Sequence, residues 1–123
     1  MTRRLSILAA LAAAIAVAVV ASATAARTAI PTLQGEVGPG FTIEVKMAGK
    51  DVKTLKAGTY RLVVEDKATI HDFHLIGPGI NKMVTTVPFK GEKTVVVKLK
   101  KGTYTYQCDP HALAGMKGTF KVK

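Results

Sequence analysis

The chain has 123 residues, with 18 Lys and Arg against 8 Asp and Glu, one cysteine and no tryptophan. That length holds one domain with a tail, and a single cysteine excludes both an internal disulfide and a cysteine-rich zinc fold. Apolar residues crowd into the first 26 positions and no second long apolar run follows, which excludes a multi-span membrane protein.

Met1-Thr2-Arg3-Arg4 is a short basic start, and Leu5 to Ala21 is almost wholly apolar and alanine-rich. Ala21-Ser22-Ala23 and Thr24-Ala25-Ala26 then supply small residues of the kind a signal peptidase accepts. This is the layout of a secretory signal peptide over 1–26, so the protein is expected in the periplasm, outside the cell or at its surface. The alternative is a retained membrane anchor. The apolar run is short for a span and only weakly hydrophobic, and its small-residue exit favours cleavage. Residues 27–32 read as a flexible lead-in and 33–123 as the functional domain.

Cleavage would remove Arg3 and Arg4 and no acid, lowering the formal charge of +10 by two. The basic residues left behind are scattered along the chain. Nucleic acid is not the expected partner, because an exported chain without an arginine-rich stripe or a recognition motif lacks the footprint. The plain reading is a solvated lysine surface that also blunts strand edges. The sharper one is steering toward an acidic protein partner or an anionic surface.

From Leu33 onward the pattern is strand after strand. Leu33 to Val37 is short and stops at Gly38-Pro39-Gly40. Phe41, Ile43, Val45 and Met47 alternate with Thr42, Glu44 and Lys46, the period of a half-buried strand. Ala48 to Asp51 and Lys56 to Gly58 read as turns, with strands at Tyr60–Glu65 and Ile70–Ile76. Gly77-Pro78-Gly79 breaks the chain. Further strands are expected at Met83–Val87, Lys93–Leu99, Thr103–Cys108 and Gly118–Lys123, and residues 109–116 have room for one helical turn. Seven to eight short strands with glycine turns between them predict an all-β, Greek-key β-sandwich.

The chemistry concentrates in Gln107-Cys108-Asp109-Pro110-His111-Ala112-Leu113-Ala114-Gly115-Met116. One thiolate, one imidazole and one thioether fall within nine residues, at the end of a strand and in the loop after it. Such a loop can curl so that all three point at one centre. Thiolate and thioether are soft ligands and imidazole suits copper; two His and one Cys with a distant axial Met make a blue-copper electron-transfer site. A second histidine is then required from another strand, and Ile70-His71-Asp72-Phe73-His74 offers two. Three apart on a regular strand, His71 and His74 face opposite sides, so only one of them serves. Three rival readings of Cys108 are weaker. An exported protein rarely keeps an idle thiol. A Cys–His nucleophile pair needs a third, orienting group. Structural zinc does not favour thioether. Met47 and Met83 read as packing or exposed apolar residues, and Tyr60, Tyr104 and Tyr106 as structural, with hydroxyls at the rim.

Cys108-x2-His111-x4-Met116 resembles the ligand loop of plastocyanin and pseudoazurin, members of the cupredoxin family. His71-Asp72 is similar to the His-Asn pair which that family carries on an earlier strand. The likeness spans Leu33 to Lys123. It implies that Cys108 is the thiolate ligand, His111 the ligand nearest the surface, Met116 the weak axial ligand and His71 the buried imidazole of a single type 1 copper ion. It also implies that the Asp72 backbone N–H approaches the Cys108 sulfur while its side chain ties the two ligand loops together. Aspartate in place of the family's usual asparagine, and the additional His74, are departures; with strand parity, the resemblance favours His71 over His74.

Two functions fit. The first is a one-electron carrier, not an enzyme. It would be a monomer that meets a transient, acidic redox partner through an apolar patch of Pro110, Ala112 and Leu113 around His111. The second is a copper-binding protein for delivery, buffering or resistance. The chain has four methionines in all and no Met- or His-rich tract to hold Cu(I), which favours the carrier.

Overall fold

The computed structural model describes residues 15–22, 24 and 28–123. Most of the leader expected over 1–26, and Arg27 of the lead-in, lie outside the described residues. No helix among the described residues is long and apolar enough to cross a membrane.

Ten strands follow in chain order: β1 (Thr32–Val37), β2 (Ile43–Met47), β3 (Lys50–Asp51), β4 (Thr54–Leu55), β5 (Gly58–Asp66), β6 (Phe73–Gly77), β7 (Ile80–Thr85), β8 (Gly91–Leu99), β9 (Gly102–Gln107) and β10 (Lys117–Val122). They form two five-stranded sheets, ordered β3-β2-β1-β5-β8 and β4-β10-β9-β6-β7. The expected seven to eight strands are the eight longer ones; β3 and β4 are two-residue additions at sheet edges. Most pairs are antiparallel, but β1 lies parallel to β5 and β4 parallel to β10.

Period-2 alternation explains the sandwich. Leu33 and Val37 on β1, Leu62 and Val64 on β5, and Val97 and Leu99 on β8 point inward from the first sheet. Phe73, Leu75, Tyr104, Phe120 and Val122 point inward from the second. Burying each such side chain contributes about 1.5–3 kcal/mol, and two facing layers make one core. The aromatic rings align within it: Tyr104 stacks on Phe120 at 5.3 Å and Phe73 on Tyr106 at 6.1 Å between centroids. The Tyr104 hydroxyl is not at a rim. The ring is fully buried, and its hydroxyl bonds Pro78 and Lys100.

The structure departs from the expected elements where loops meet the site. Thr32 already belongs to β1, so the lead-in ends at Pro31. Lys50 and Asp51 pair with β2 instead of turning, and β7 begins at Ile80 and stops at Thr85, ahead of Val87. Phe41 is not on a buried strand face. Gly38 N–H donates to Thr42 O at 2.9 Å and closes a turn before β2, leaving Phe41 63 % exposed in the β1–β2 connection. Ile70, His71 and Asp72 are not strand. Lys67 N–H bonds Val37 O, Ala68 N–H bonds the Asp66 carboxylate and His71 N–H bonds Ala68 O. These donors are therefore satisfied inside a turn, and the ladder starts only at Phe73, with a register shift between Phe73 and His74.

Candidate metal centre

β9 and β10 form an antiparallel hairpin whose last ladder pair is Gln107 with Lys117. The loop between them, Cys108–Met116, is held by its own backbone. Cys108 N–H donates to Met116 O at 3.0 Å, His111 N–H to Cys108 O at 3.1 Å and Met116 N–H to His111 O at 3.2 Å. Pro110 sits in the first turn of a 3₁₀ segment over Asp109–Ala114, where its missing N–H costs nothing. Gly115, at φ +99°, takes the left-handed conformation that returns the chain to Met116. Cys108 and Met116 are thereby both buried, at the two ends of one closed loop.

His71 reaches the same place from the β5–β6 connection. Its Nδ1 lies 3.7 Å from the Cys108 sulfur and 3.1 Å from His111 Nδ1, and His111 Nδ1 lies 3.4 Å from that sulfur. The common centre of this triangle is about 2 Å from each donor, the length of a metal–imidazole bond. Among the described residues, these three make the group of His, Cys and carboxylate side chains whose donor atoms could hold an ion. Cys108 and His71 are fully buried and His111 half-buried.

The surroundings set each donor. His71 Nε2 is 3.3 Å from Pro39 O; donating its proton there leaves Nδ1 with a lone pair for a metal. Gly38, at φ +75°, packs under that ring: a Cβ at this position would come within 2.7 Å of His71 Cδ2. Burial pushes the Cys108 thiol up, while the N–H groups of Asp72 and His111 directed at the sulfur favour the thiolate. Burial likewise raises the Asp72 carboxyl against the N–H of Asp109, which it accepts at 2.7 Å. Phe41 stands edge-on to His111 at 4.8 Å and to His71 at 5.9 Å.

His74 does not join the triangle. Its Nδ1 sits 2.9 Å from an Asp109 oxygen and its Nε2 2.5 Å from Asn81 Oδ1. Gln107 also donates to Asp109 at 2.8 Å. The parity part of the argument for His71 assumes a strand that does not exist there; a turn, not alternation, aims the ring. Sequence reasoning missed Gly38, the Pro39 carbonyl, Phe41 and Asn81. Only the Gly38-Pro39-Gly40 break marked that neighbourhood.

A family model described as copper binding proteins, plastocyanin/azurin family, matches residues 18–123. Among solved structures, a methionine-to-glutamine mutant of rusticyanin is 25 % identical, with a TM-score of 0.52 over 75 % of this chain and 76 % of that one. Rusticyanin from Thiobacillus ferrooxidans is 26 % identical over the same shares, with a TM-score of 0.49. An oxidised methionine-to-leucine mutant of amicyanin is 15 % identical over 74 % of this chain and 81 % of that one, also at 0.49. The search of curated proteins returned no match.

Proposed function

This chain belongs to the plastocyanin/azurin family of copper binding proteins, and from that premise we propose that it is an exported one-electron carrier, not an enzyme. Copper is the cofactor. His71, Cys108, His111 and Met116 would hold it, with Asp72 outside them. The observation that carries this reading is the convergence of two imidazole nitrogens and one sulfur on a single centre, with a buried thioether closing the same loop.

Bound copper supplies a Cu(I)/Cu(II) couple tuned by the thiolate and thioether. The chain's own part is to hold donors still. The loop's backbone bonds fix Cys108, His111 and Met116 relative to one another, and the Asp72–Asp109 bond fixes that loop to the His71 turn. Little then has to move when an electron arrives. His71 is sealed from solvent, whereas His111 is half-exposed and stands edge-on to the exposed Phe41 ring, with Ile70 and Leu113, apolar and open to solvent, on the two ligand-bearing loops. An electron leaves most directly by the His111 edge, and a partner docks on that patch. The formal charge, +10 less the two of Arg3 and Arg4 that leave with the leader, favours an acidic partner at long range and a salt-sensitive encounter. Residues 1–26 act as a removable leader for export, with the domain from Leu33 to Lys123 folding as a monomer.

A spectroelectrochemical titration of the copper-loaded protein tests the proposal. The expected result is a reversible, one-electron curve, a tenfold ratio change per about 59 mV, with copper retained in both states. Loss of copper on reduction would contradict a carrier and point to metal delivery.

A further inference from the structure

Six of the lysines scattered along the sequence meet at one end of the fold. One row of glutamates crosses the first sheet, Glu44 beside Glu36, Glu36 beside Glu65 and Glu65 beside Glu92. It lies at the end where β1 and β5 finish and the His71 turn begins. The ion pairs of the described residues, Lys46–Glu44, Lys67–Glu36 and His74–Asp109, belong to that same end.

The other end is basic. Lys53, Lys56, Lys100, Lys101, Lys121 and Lys123 are all exposed there. Backbone bonds hold most of them together: Lys121 N–H donates to Lys53 O at 2.9 Å, Lys123 N–H to Leu55 O at 2.9 Å and Ala57 N–H to Lys123 O at 3.0 Å. Tyr104 anchors the Lys100–Lys101 turn, with its hydroxyl 2.8 Å from Lys100 N and 3.1 Å from Lys100 O. The loops between β4 and β5, β6 and β7, and β8 and β9 at this end carry none of the chain's eight acids, and one acid, the exposed Asp51 of β3, stands two residues before Lys53. A partner seated over Phe41 and Leu113 does not reach these lysines, so the electron-carrier reading gives them long-range steering but no contact.

The amino-terminal segment enters at this basic end. Thr32 opens β1 beside Arg61, and Arg61 N–H donates to Pro31 O at 2.9 Å. The apolar stretch Leu5 to Ala21 upstream belongs to the proposed leader and leaves on cleavage, so the docking rests on the lysines. Clustered like charges repel one another, and an extended anionic surface relieves that repulsion. The glutamate row, a strand length away, lies beyond the Debye length of about 8 Å and does not oppose it.

We infer that this lysine collar docks on an anionic bilayer surface, with the candidate metal centre facing away from it. β5 spans the sheet from one end to the other, so His111 and its apolar patch stand roughly 25–30 Å off the headgroups, open to a soluble partner. Each lysine inside the surface layer strengthens partition about fivefold.

Cosedimentation of the full chain with phosphatidylcholine vesicles, with and without about 30 % phosphatidylserine, tests this. The expected result is partition that requires phosphatidylserine and weakens with salt. Lys100→Glu with Lys101→Glu should lower it about 25-fold or more, while Lys90→Glu with Lys117→Glu, matched in charge at the other end, should lower it less than about fivefold. Circular dichroism checks that both pairs fold; if the collar pair does not, Lys56→Gln with Lys123→Gln serves for the same comparison. Equal losses in the two pairs would mean that net charge alone acts, and equal partition onto neutral vesicles would assign binding to the apolar segment. Binding to soluble polyglutamate without binding to vesicles would make the surface a protein site. Each of these results overturns the inference.

Discussion

The Asp72 carboxylate accepts the backbone N–H of Asp109 at 2.7 Å, joining the two segments one residue away from His71 and from Cys108. This bond spans 37 positions in sequence and is the shortest link between the ligand-bearing turns. Asp72→Asn retains an acceptor and should leave copper binding and stability close to wild type. Asp72→Ala leaves a partly buried N–H unpaired and should cost about 1 kcal/mol or more and weaken copper affinity about 10–100-fold. Chemical denaturation and competitive copper titration check both variants. Equal behaviour of the two would show that the link does not matter.

Gly38→Ala tests the seat of His71. The substitution puts a Cβ within 2.7 Å of the ring and forces alanine to φ +75°. About 1 kcal/mol or more of backbone strain is expected, together with a displaced imidazole and a weakened or altered copper spectrum. Ala at Gly40, where an added Cβ meets nothing within 4 Å, should be close to neutral in the same assays.

His71 and His74 separate cleanly. His71→Ala removes one of the three converging donors and should abolish the coloured site or open it to added imidazole. His74→Ala should leave the site coloured and cost at most about 1 kcal/mol, because Asp109 is substantially exposed. Its pH dependence follows from two shifts. Burial opposes charge on His74, but bonds to Asn81 and Asp109 outweigh it and raise its pKa above 6.5. Burial also works against ionised Asp109, yet Gln107 and His74 hold its carboxyl below 3.8. The histidine's share of stability is complete below about pH 6.5 and fades as pH rises through its raised value. The aspartate's share is present above the ordinary carboxylate range and is lost as pH falls through its lowered value. The Tm difference between wild type and His74→Ala should therefore be largest at about pH 5 and shrink by about pH 9. A difference that grows with pH would contradict the charged pair.

Met116→Leu should stay folded and bind copper, with the reduction potential raised by more than about 59 mV, a tenfold shift in the one-electron equilibrium. A thioether donates weakly and stabilises Cu(II) more than an alkyl chain does. An unchanged potential would make Met116 a packing residue.

The sandwich was legible because alternation survives in residues such as Leu62, Val64, Phe120 and Val122, where one face is core. The loop from Cys108 to Met116 was legible because ligand chemistry and spacing coincide within one hairpin. Phe41 was misread because apolar alternation continues past the start of β2, and only the Gly38–Thr42 turn shows that the ladder has not begun. His71 was preferred by strand parity together with its likeness to the family's His-Asn pair, yet the donors of Lys67, Ala68 and His71 are spent in a turn that carries no periodic signal. The Pro39 carbonyl and Asn81 left no sequence trace, since a backbone acceptor has no side-chain signature and Asn81 meets His74 only through the β6–β7 register. The charge division was hidden for the same reason. Glu36, Glu44, Glu65 and Glu92 are far apart in sequence and become neighbours only when four strands align.

The absorption spectrum after adding Cu(II), measured on wild type and on Cys108→Ser, tests the central claim most directly. A hydroxyl is a hard, poorly ionised ligand in place of a thiolate. Wild type should gain an intense band at about 600 nm from a copper–thiolate bond, and Cys108→Ser, still folded by circular dichroism, should lack it. A folded, copper-loaded wild type without that band, or a Cys108→Ser variant that keeps it, would contradict the assignment.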